Sequence, residues 1–188
     1  MSKINNVNIE GVRSFETQIK KDRSLARKTQ VIEGEWVLEE GNVQFVSKIK
    51  FEGGETEFKV DNPTFMGGTG SLPGPMHYCF FGLDSCYTGT FATMAPMLGI
   101  KLKKLTTKVE ADINFSKVLG LSDESITEEV RVKLTVVSDE PAEKIKQAEE
   151  LALQRCPVVF TLRNPVKLVP SLEILNKIII DGKCKNKI

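Results

Sequence analysis

The sequence has few of the side chains that bind metals or stack on nucleotides. It contains one histidine, one tryptophan and two tyrosines in 188 residues. Its four cysteines, Cys79, Cys86, Cys156 and Cys184, are scattered and show no CxxC spacing, which excludes a multi-histidine or paired-cysteine metal site. Scattered cysteines in a chain of this length also do not make the disulfide framework of a small secreted domain. We therefore predict no metal and no other cofactor.

The sequence also has only a small net charge and no recognisable signal peptide. The 26 Lys and Arg residues nearly balance the 25 Asp and Glu residues, so no overall field recruits nucleic acid or an anionic membrane. The basic stretches, residues 20–28 and the C-terminal tail, carry no interleaved aromatic residues that would stack on bases. The N-terminal segment lacks the apolar core of a signal peptide. We expect a cytoplasmic protein that binds a small molecule or another protein.

The most informative stretch of the sequence is residues 67–98. Pro75 follows a Gly- and Pro-rich turn and suits the first position of a helix, because its missing N–H would have no partner there. The only formal charge between this proline and residue 98 is Asp84, which predicts a helix over 75–98 that is buried nearly all round. Glycines and threonines dilute its apolar residues, and Pro96 interrupts its end, so we interpret it as a core helix rather than a membrane span.

The residues around this helix alternate between strand-like and helical patterns. The predicted elements are, in order, an antiparallel β-meander over about 12–60, the central helix over about 75–98, a hairpin over about 100–138, a second helix over about 142–156 and a last, proline-interrupted strand over about 166–175. We predict one domain over 1–176, followed by a basic C-terminal tail over 177–188. This order is typical of an α+β fold, with helices on one side of an antiparallel sheet.

Two of the cysteines differ in their expected electrostatic surroundings. Cys86 lies about eleven residues into its helix, roughly 16 Å from the N-terminus, where the helix dipole cannot activate it. Because burial alone raises the pKa of a thiol, a reactive Cys86 needs a cation brought to it, and arginine stays charged when desolvated. Cys156 is expected at a helix C-terminus, where the dipole disfavours a negative charge. Cys86 therefore suits the attacking role and Cys156 the resolving role.

A stripe of small residues runs along one face of the predicted central helix. Gly82, Ser85, Cys86 and Gly89 stand at positions i, i+3, i+4 and i+7, which share one face of an α-helix. We expect another backbone to approach closely there, beside the Cys86 sulfur.

Three other candidate residues have simpler interpretations. A cysteine in an apolar helix is usually a small core residue, and we interpret Cys79 and Cys184 as structural, with Cys184 in a tail that is expected to fray. Cys79 is seven residues, roughly 10 Å along the axis, from Cys86 and is beyond disulfide reach. The single histidine, His77, is expected to be a surface or first-turn residue rather than a catalytic base.

Together these residues carry a resemblance to a known family. The segment GGTGSLPGPMHYCFFGLDSC, followed some seventy residues later by Cys156-Pro157-Val158 at the end of a second helix, resembles the OsmC/Ohr family of thiol-dependent peroxidases. The similarity extends over the order of elements from about Val12 to Leu175. It implies an intertwined homodimer with the long helices at its centre and active sites at the subunit interface.

The resemblance also implies a reaction and a set of catalytic residues. In this family the first cysteine attacks an organic hydroperoxide, becomes a sulfenic acid and is resolved by the second as a disulfide, which a dithiol reductant of lipoyl or thioredoxin type then reduces. Applied to this chain, the resemblance implies that Cys86 is the peroxidatic residue and Cys156 the resolving one. A catalytic arginine is expected from the first β-hairpin; Arg13, Arg23 and Arg27 are candidates, and we favour Arg23.

One departure from the family pattern leaves a second function possible. Ohr-type members carry a glutamate ten residues before the reactive cysteine, where it pairs with the catalytic arginine. This chain has Met76 at that position, as do other branches of the family. The alternative function is therefore a non-catalytic dimer that binds an apolar ligand or acts as a redox-sensitive protein.

Overall fold

The computed structural model describes residues 3–41, 43–175, 177–180 and 183–186, the last two ranges by their backbone alone. The helices are α1 (Ile9–Lys21), α2 (Pro75–Met97), α3 (Phe115–Val118), α4 (Ala142–Arg155) and α5 (Pro157–Arg163). The strands are β1 (Gly34–Trp36), β2 (Phe45–Phe51), β3 (Gly54–Val60), β4 (Leu102–Glu110), β5 (Arg131–Ser138), β6 (Lys177–Ile180) and β7 (Lys183–Asn186).

All strand pairs are antiparallel, and the fold is α+β as predicted. The strands form a three-stranded sheet in the order β1-β2-β3 and two hairpins, β4-β5 and β6-β7. Ser47 in the middle of the larger sheet pairs with both Gly34 and Phe58. In the second sheet Val109 lies opposite Val132, and the register shifts between Leu102 and Lys104.

The core lies between α2, the β4-β5 hairpin and the two helices α4 and α5. Leu83, Tyr87, Phe91 and Ala95 recur every four residues and form one buried stripe along α2. The stripe packs on Ile100, on Ala148 and Ala152 of α4, and on Val159 of α5. Alanines at these α4 positions allow the two helices to approach closely, because no longer side chain separates them. The second cysteine, Cys156, belongs to this core.

The prediction that α2 is buried nearly all round is wrong for the single chain. Met76 is 41% exposed and Phe81 is 62% exposed. Both lie off the buried stripe, on the part of α2 that the β4-β5 hairpin and helices α4 and α5 do not cover. The sequence supplies apolar residues on several faces of α2, and the described chain leaves some of them, including Met76 and Phe81, exposed.

A buried aspartate fixes the loop that leads into α2. The Asp61 side chain is fully buried and accepts hydrogen bonds from the Thr69 N–H and hydroxyl and from the Ser71 N–H and hydroxyl, at 2.6–3.2 Å. The Thr69 hydroxyl bond is the main cause that lowers the pKa of Asp61. A Cβ on Gly68 would lie 2.0 Å from the Asn62 carbonyl oxygen, so only glycine fits this turn. The loop therefore sets where α2 begins.

Prolines at the ends of elements explain why the helix boundaries were predicted well. Helix α2 begins at Pro75 as predicted, and α4 ends at Arg155, one residue before the predicted end. The hairpin predicted over about 100–138 is β4 and β5. The division into one domain over 1–176 and a tail remains a prediction.

Two predicted strands are absent from the described residues. The first part of the meander predicted over 12–60 is helix α1, which begins after Asn8, whose side chain accepts a hydrogen bond from the Gly11 N–H. Residues 166–175, predicted as the last strand, form no secondary structure, and none of the strands in the described ranges pairs with them. Part of the tail predicted to fray forms the β6-β7 hairpin. None of the helices in the described ranges is long and apolar enough to cross a membrane.

Candidate active site

Cys86 and Cys156, seventy residues apart in sequence, meet in the fold. Their Sγ atoms lie 3.4 Å apart, and both are free thiols. Cys86 is in the middle of α2, whereas Cys156 is the residue between α4 and α5. The chain turns at Cys156 because Pro157 disfavours helical geometry in the residue before it, and the Cys156 backbone is extended with φ −72° and ψ 118°. This turn carries the second thiol against α2.

The separation of the two sulfur atoms is compatible with disulfide formation. A disulfide bond is about 2.05 Å long, so the sulfurs must approach each other by roughly 1.4 Å. Cys156 caps the C-terminus of α4 and also precedes the first residue of α5. Opposite ends of two helix dipoles therefore meet at Cys156, so the negative end of α4, predicted from the sequence, is only one of the two dipoles that act on this residue.

The two thiols differ in their access to solvent. Cys156 is fully buried in the core. Cys86 is only partly buried and lines an open cavity of about 480 Å³. The cavity is lined by Ser85, Cys86, Gly89, Thr90, Thr93, Met94 and Arg155. A small molecule that enters the cavity therefore meets Cys86 and not Cys156.

The immediate surroundings of Cys86 favour the protonated thiol. Burial is the largest effect and raises the pKa of Cys86. The neighbouring Cys156 side chain raises it further, while a hydrogen bond from the Val158 backbone N–H acts in the opposite direction. The need for a cation that was inferred from the sequence therefore also holds for the folded chain.

An arginine that the sequence analysis did not consider lines the Cys86 cavity. Arg155 Nη1 lies 3.3 Å from Met94 Sδ, and both residues form part of the cavity wall. Arg23, the predicted catalytic arginine, is exposed in a 3₁₀ turn (Arg23–Ala26) after α1 and does not line this cavity. Arg13 and Arg27 do not line it either. The position of Arg155 immediately before Cys156 was the signal in the sequence.

The remaining residues singled out in the sequence lie away from the two sulfurs. His77 is an exposed first-turn residue, as predicted, and its Nδ1 accepts a hydrogen bond from the Gly74 N–H. Asp84 faces Thr88, which also contacts Thr107 of β4. Cys79 is exposed, so its interpretation as a core residue is wrong; it lies outside the buried stripe that begins at Leu83. The side chain of Cys184 is outside the described part of the chain.

The stripe of small residues on α2 is open to solvent. A Cβ atom built on Gly82 or on Gly89 meets no atom within 4 Å. The close approach of another backbone that was expected here is therefore not made within the described chain. Instead, part of the stripe forms the floor of the Cys86 cavity.

A second cavity lies where the β1-β3 sheet faces the first turns of α2. Its volume is about 530 Å³, and its wall is almost entirely apolar. The lining residues are Ile32, Trp36, Phe45, Ser47, Ile49, Phe58, Val60, Pro75, Tyr78 and Phe81. In the described ranges no three His, Cys, Asp or Glu side chains are grouped so that they could hold a metal ion.

The fold is α+β, with one cysteine on the long central helix and a second directly after a later helix. The model of the OsmC-like protein family matches residues 68–171, and the chain belongs to this family. None of the curated proteins matches the chain.

Solved structures agree with this fold. The chain is 20% identical to an OsmC-like protein from Mycoplasma pneumoniae, with a TM-score of 0.58 over 73% of this chain and 89% of that one. An organic hydroperoxide resistance protein OsmC from Legionella pneumophila is 15% identical, with a TM-score of 0.50 over 72% of this chain and 90% of that one. At these identities the comparison establishes the fold.

Proposed function

We propose that the protein is a thiol-dependent peroxidase that reduces organic hydroperoxides through Cys86 and Cys156. The observation that carries the proposal is the 3.4 Å distance between the two sulfurs, one facing a cavity and the other buried behind it. This asymmetry fits one thiol that meets the substrate and a second that reacts only with the first. The name of the Legionella protein, an organic hydroperoxide resistance protein, supports the same substrate class.

The proposed reaction has two steps on the protein. The Cys86 thiolate attacks the terminal peroxide oxygen; a sulfur–oxygen bond forms, the oxygen–oxygen bond breaks, and the alkoxide takes up a proton and leaves as an alcohol. The resulting Cys86 sulfenic acid is attacked by the Cys156 sulfur; the disulfide forms and the hydroxyl leaves as water with the Cys156 proton. A dithiol of lipoyl or thioredoxin type then reduces the disulfide by exchange and restores both thiols.

The cavity favours an organic peroxide over hydrogen peroxide. Its wall includes Met94 and two threonines, Thr90 and Thr93, whose hydroxyls donate to backbone carbonyls of α2. Its volume of about 480 Å³ exceeds what hydrogen peroxide fills. An organic substituent would gain free energy from apolar contacts there. A cytoplasmic location, where dithiol reductants are maintained, is part of the proposal.

A homodimer is also part of the proposal. The apolar cavity beside the β1-β3 sheet leaves Trp36 50% exposed and Phe81 62% exposed in the single chain. Residues 166–175 carry several exposed apolar side chains, and no strand among the described residues pairs with them. A second copy of the chain is the occupant that we assign to these surfaces, in keeping with the intertwined dimer that the family resemblance implies.

Replacement of the attacking thiol tests the proposed activity. Cys86→Ser removes the only proposed nucleophile, so consumption of an organic hydroperoxide with a dithiol reductant should fall to the uncatalysed rate. Cys79→Ser, an exposed cysteine on the same helix, is the matched control and should retain the wild-type rate. Undiminished turnover by Cys86→Ser ends the peroxidase proposal.

The non-catalytic alternative predicts a different result for the same thiol. Its supporting observations are the raised pKa of Cys86 and the exposed Met76 where Ohr-type members carry a glutamate. In that case the folded protein should resist alkylation at Cys86 near neutral pH and should bind an apolar molecule in the cavity beside the β1-β3 sheet. Rapid alkylation of Cys86 argues against it.

A further inference from the structure

The disulfide of the proposed cycle contains two sulfurs that a reductant could attack, Cys86 Sγ and Cys156 Sγ. A thiolate breaks a disulfide by bonding to one sulfur while the other leaves, and the rate depends on which sulfur the thiolate can reach. The incoming sulfur approaches in line with the breaking bond, from the side opposite the leaving sulfur. What lies beyond each sulfur therefore decides which cysteine first bonds to the reductant.

The Cys156 side is closed by the core of the same chain. Cys156 is fully buried and belongs to the same buried cluster as Tyr87, Ala152 and Val159. Because protein cores are close-packed, a thiol could approach this sulfur only by displacing core side chains. These neighbours come from α2, α4 and α5, so a second copy of the chain could only add further cover. Attack on the Cys156 sulfur is therefore blocked in the single chain and in the proposed dimer.

The Cys86 side is open. Cys86 is only partly buried and lines the cavity of about 480 Å³. In the proposed function a hydroperoxide has to reach this sulfur, so the active assembly keeps a path to it, and a dithiol can use the same path. The two sulfurs lie 3.4 Å apart and need to approach by only roughly 1.4 Å to bond. The difference in access between the two cysteines therefore persists in the disulfide form.

We infer that the reductant attacks the Cys86 sulfur, so that its covalent intermediate is a mixed disulfide on Cys86 and Cys156 is the leaving group. The inference rests on the proposed function in that Cys86 and Cys156 form the disulfide. Cys86 then bonds first to the peroxide oxygen and later to the sulfur of the reductant. Cys156 bonds only to Cys86 and meets neither substrate.

The exchange has two balanced steps. A reductant thiolate bonds to Cys86 Sγ, the bond to Cys156 breaks, and its electron pair passes to the Cys156 sulfur, which takes up the proton that the reductant thiol released. The second thiolate of the reductant then bonds to the first reductant sulfur, the bond to Cys86 breaks, and Cys86 takes up the second proton. The protein regains two thiols, and the dithiol leaves as a disulfide.

The burial of the leaving sulfur opposes this direction of attack. Cys156 has to leave within the core, where a negative charge costs free energy until the sulfur is protonated. Attack on Cys156 would instead release Cys86 beside the cavity, but it requires a nucleophile inside the core. A poorer leaving group slows the exchange, whereas a sulfur that the nucleophile cannot reach does not react. Access therefore decides the direction.

The test uses sulfite as the probe, because sulfite breaks a disulfide as a thiolate does but leaves an S-sulfonate on the attacked cysteine. Cys79→Ser and Cys184→Ser leave Cys86 and Cys156 as the only cysteines of the full-length chain. The disulfide is formed with diamide, treated with excess sulfite, quenched in acid and mapped by mass spectrometry. The folded protein should carry S-sulfonate on Cys86 in at least about tenfold excess over Cys156.

The same oxidised protein in concentrated guanidinium chloride is the matched control. Both sulfurs are accessible in the unfolded chain, so S-sulfonate should appear on both cysteines. An equal distribution in the folded protein, an excess on Cys156, or no reaction until the chain is unfolded overturns the inference. Failure of diamide to form the disulfide, or loss of the folded circular dichroism spectrum when it forms, does the same.

This result is independent of peroxide turnover, because diamide forms the disulfide without a peroxide. S-sulfonate on Cys86 in a protein that consumes no hydroperoxide means that the peroxidase proposal fails while the assignment of the attacked sulfur stands. Hydroperoxide turnover with S-sulfonate on Cys156, or on both cysteines equally, means the reverse.

Discussion

At the scale of single residues, the unequal burial of Cys86 and Cys156 decides what each can do. Cys86 borders a cavity that a small peroxide can enter, whereas Cys156 is fully buried among Ala152, Val159 and α2. A substrate that reaches Cys86 cannot reach Cys156 without displacing the core. The order of events in the proposed reaction therefore follows from packing, independently of the intrinsic reactivity of the two thiols.

This packing leads to a prediction for the resolving residue. Cys156→Ser should leave the attack by Cys86 intact but prevent the disulfide, so that one equivalent of peroxide is consumed and the Cys86 sulfenic acid accumulates. Trapping with dimedone and mass spectrometry should detect the adduct on Cys86 in the variant and little in wild type. Catalytic turnover in Cys156→Ser at the wild-type rate would contradict the proposed pairing, as would absence of the adduct after one equivalent of peroxide.

The sequence predicted that the two cysteines pair, but it did not predict that Arg155 lines the cavity beside Cys86. Pro157 in the sequence marks where α4 ends, and this position brings Cys156 to α2. An arginine side chain, by contrast, extends several ångströms, and its direction depends on packing that no local pattern specifies. Arg155 is adjacent to Cys156 in sequence, yet only the fold shows that this residue lines the Cys86 cavity.

At the scale of elements, α1 is a helix where the sequence analysis predicted the first strand of the meander. Val12, Phe15 and Ile19 are spaced by three and four residues, which is the period of a helix rather than of a strand. The Asn8 cap and the basic last turn with Lys20 and Lys21 add helix signals that the strand prediction did not weigh. The wrong strand prediction at 166–175 has a different cause, because strand formation there needs a pairing partner, and the part of the chain that the structure describes supplies none.

The buried Asp61 carboxylate should control the stability of the α2 entry in a pH-dependent way. Its hydrogen bonds favour the ionised form and hold its pKa below the ordinary value of 3.8. A carboxyl whose pKa is lowered on folding stabilises the protein above its unfolded pKa, and this contribution is lost as pH falls through the folded value. Asp61→Asn should therefore lower the urea midpoint at pH 7, and its difference from wild type should shrink below about pH 4.

A matched variant separates this effect from a change in net charge. Asp123→Asn alters an exposed aspartate in the loop before β5 and should leave the midpoint close to wild type at both pH values. If the deficit of Asp61→Asn is the same at pH 7 and at pH 3, the ionised carboxylate is not what holds the loop. Circular dichroism during urea titration at the two pH values provides the measurement.

At the scale of the whole molecule, the single chain leaves apolar surface that a second copy would cover. The three-stranded sheet turns Phe45, Ile49 and Phe58 toward one cavity with Trp36 and Phe81 at its open side. Such a concave, almost wholly apolar surface is typical of an interface rather than of a free surface. The proposed dimer would also account for the apolar residues on several faces of α2 that led the sequence to predict burial nearly all round.

A pair of adjacent residues on β1 tests the dimer. Wild-type protein should have a mass of about 42 kDa in solution, twice the 20.9 kDa of one chain. Trp36→Arg places a charge without a partner in the apolar cavity and should shift the protein toward the monomer mass, because burying that guanidinium costs several kcal/mol. Glu35→Arg introduces the same side chain one residue earlier, where strand alternation points it to the opposite face, and should leave the dimer intact. Light scattering coupled to gel filtration gives the masses. A monomeric wild type, or equal dissociation of both variants, would show that the β1-β3 cavity is not the interface and would leave its apolar lining as a ligand site, as the alternative function requires.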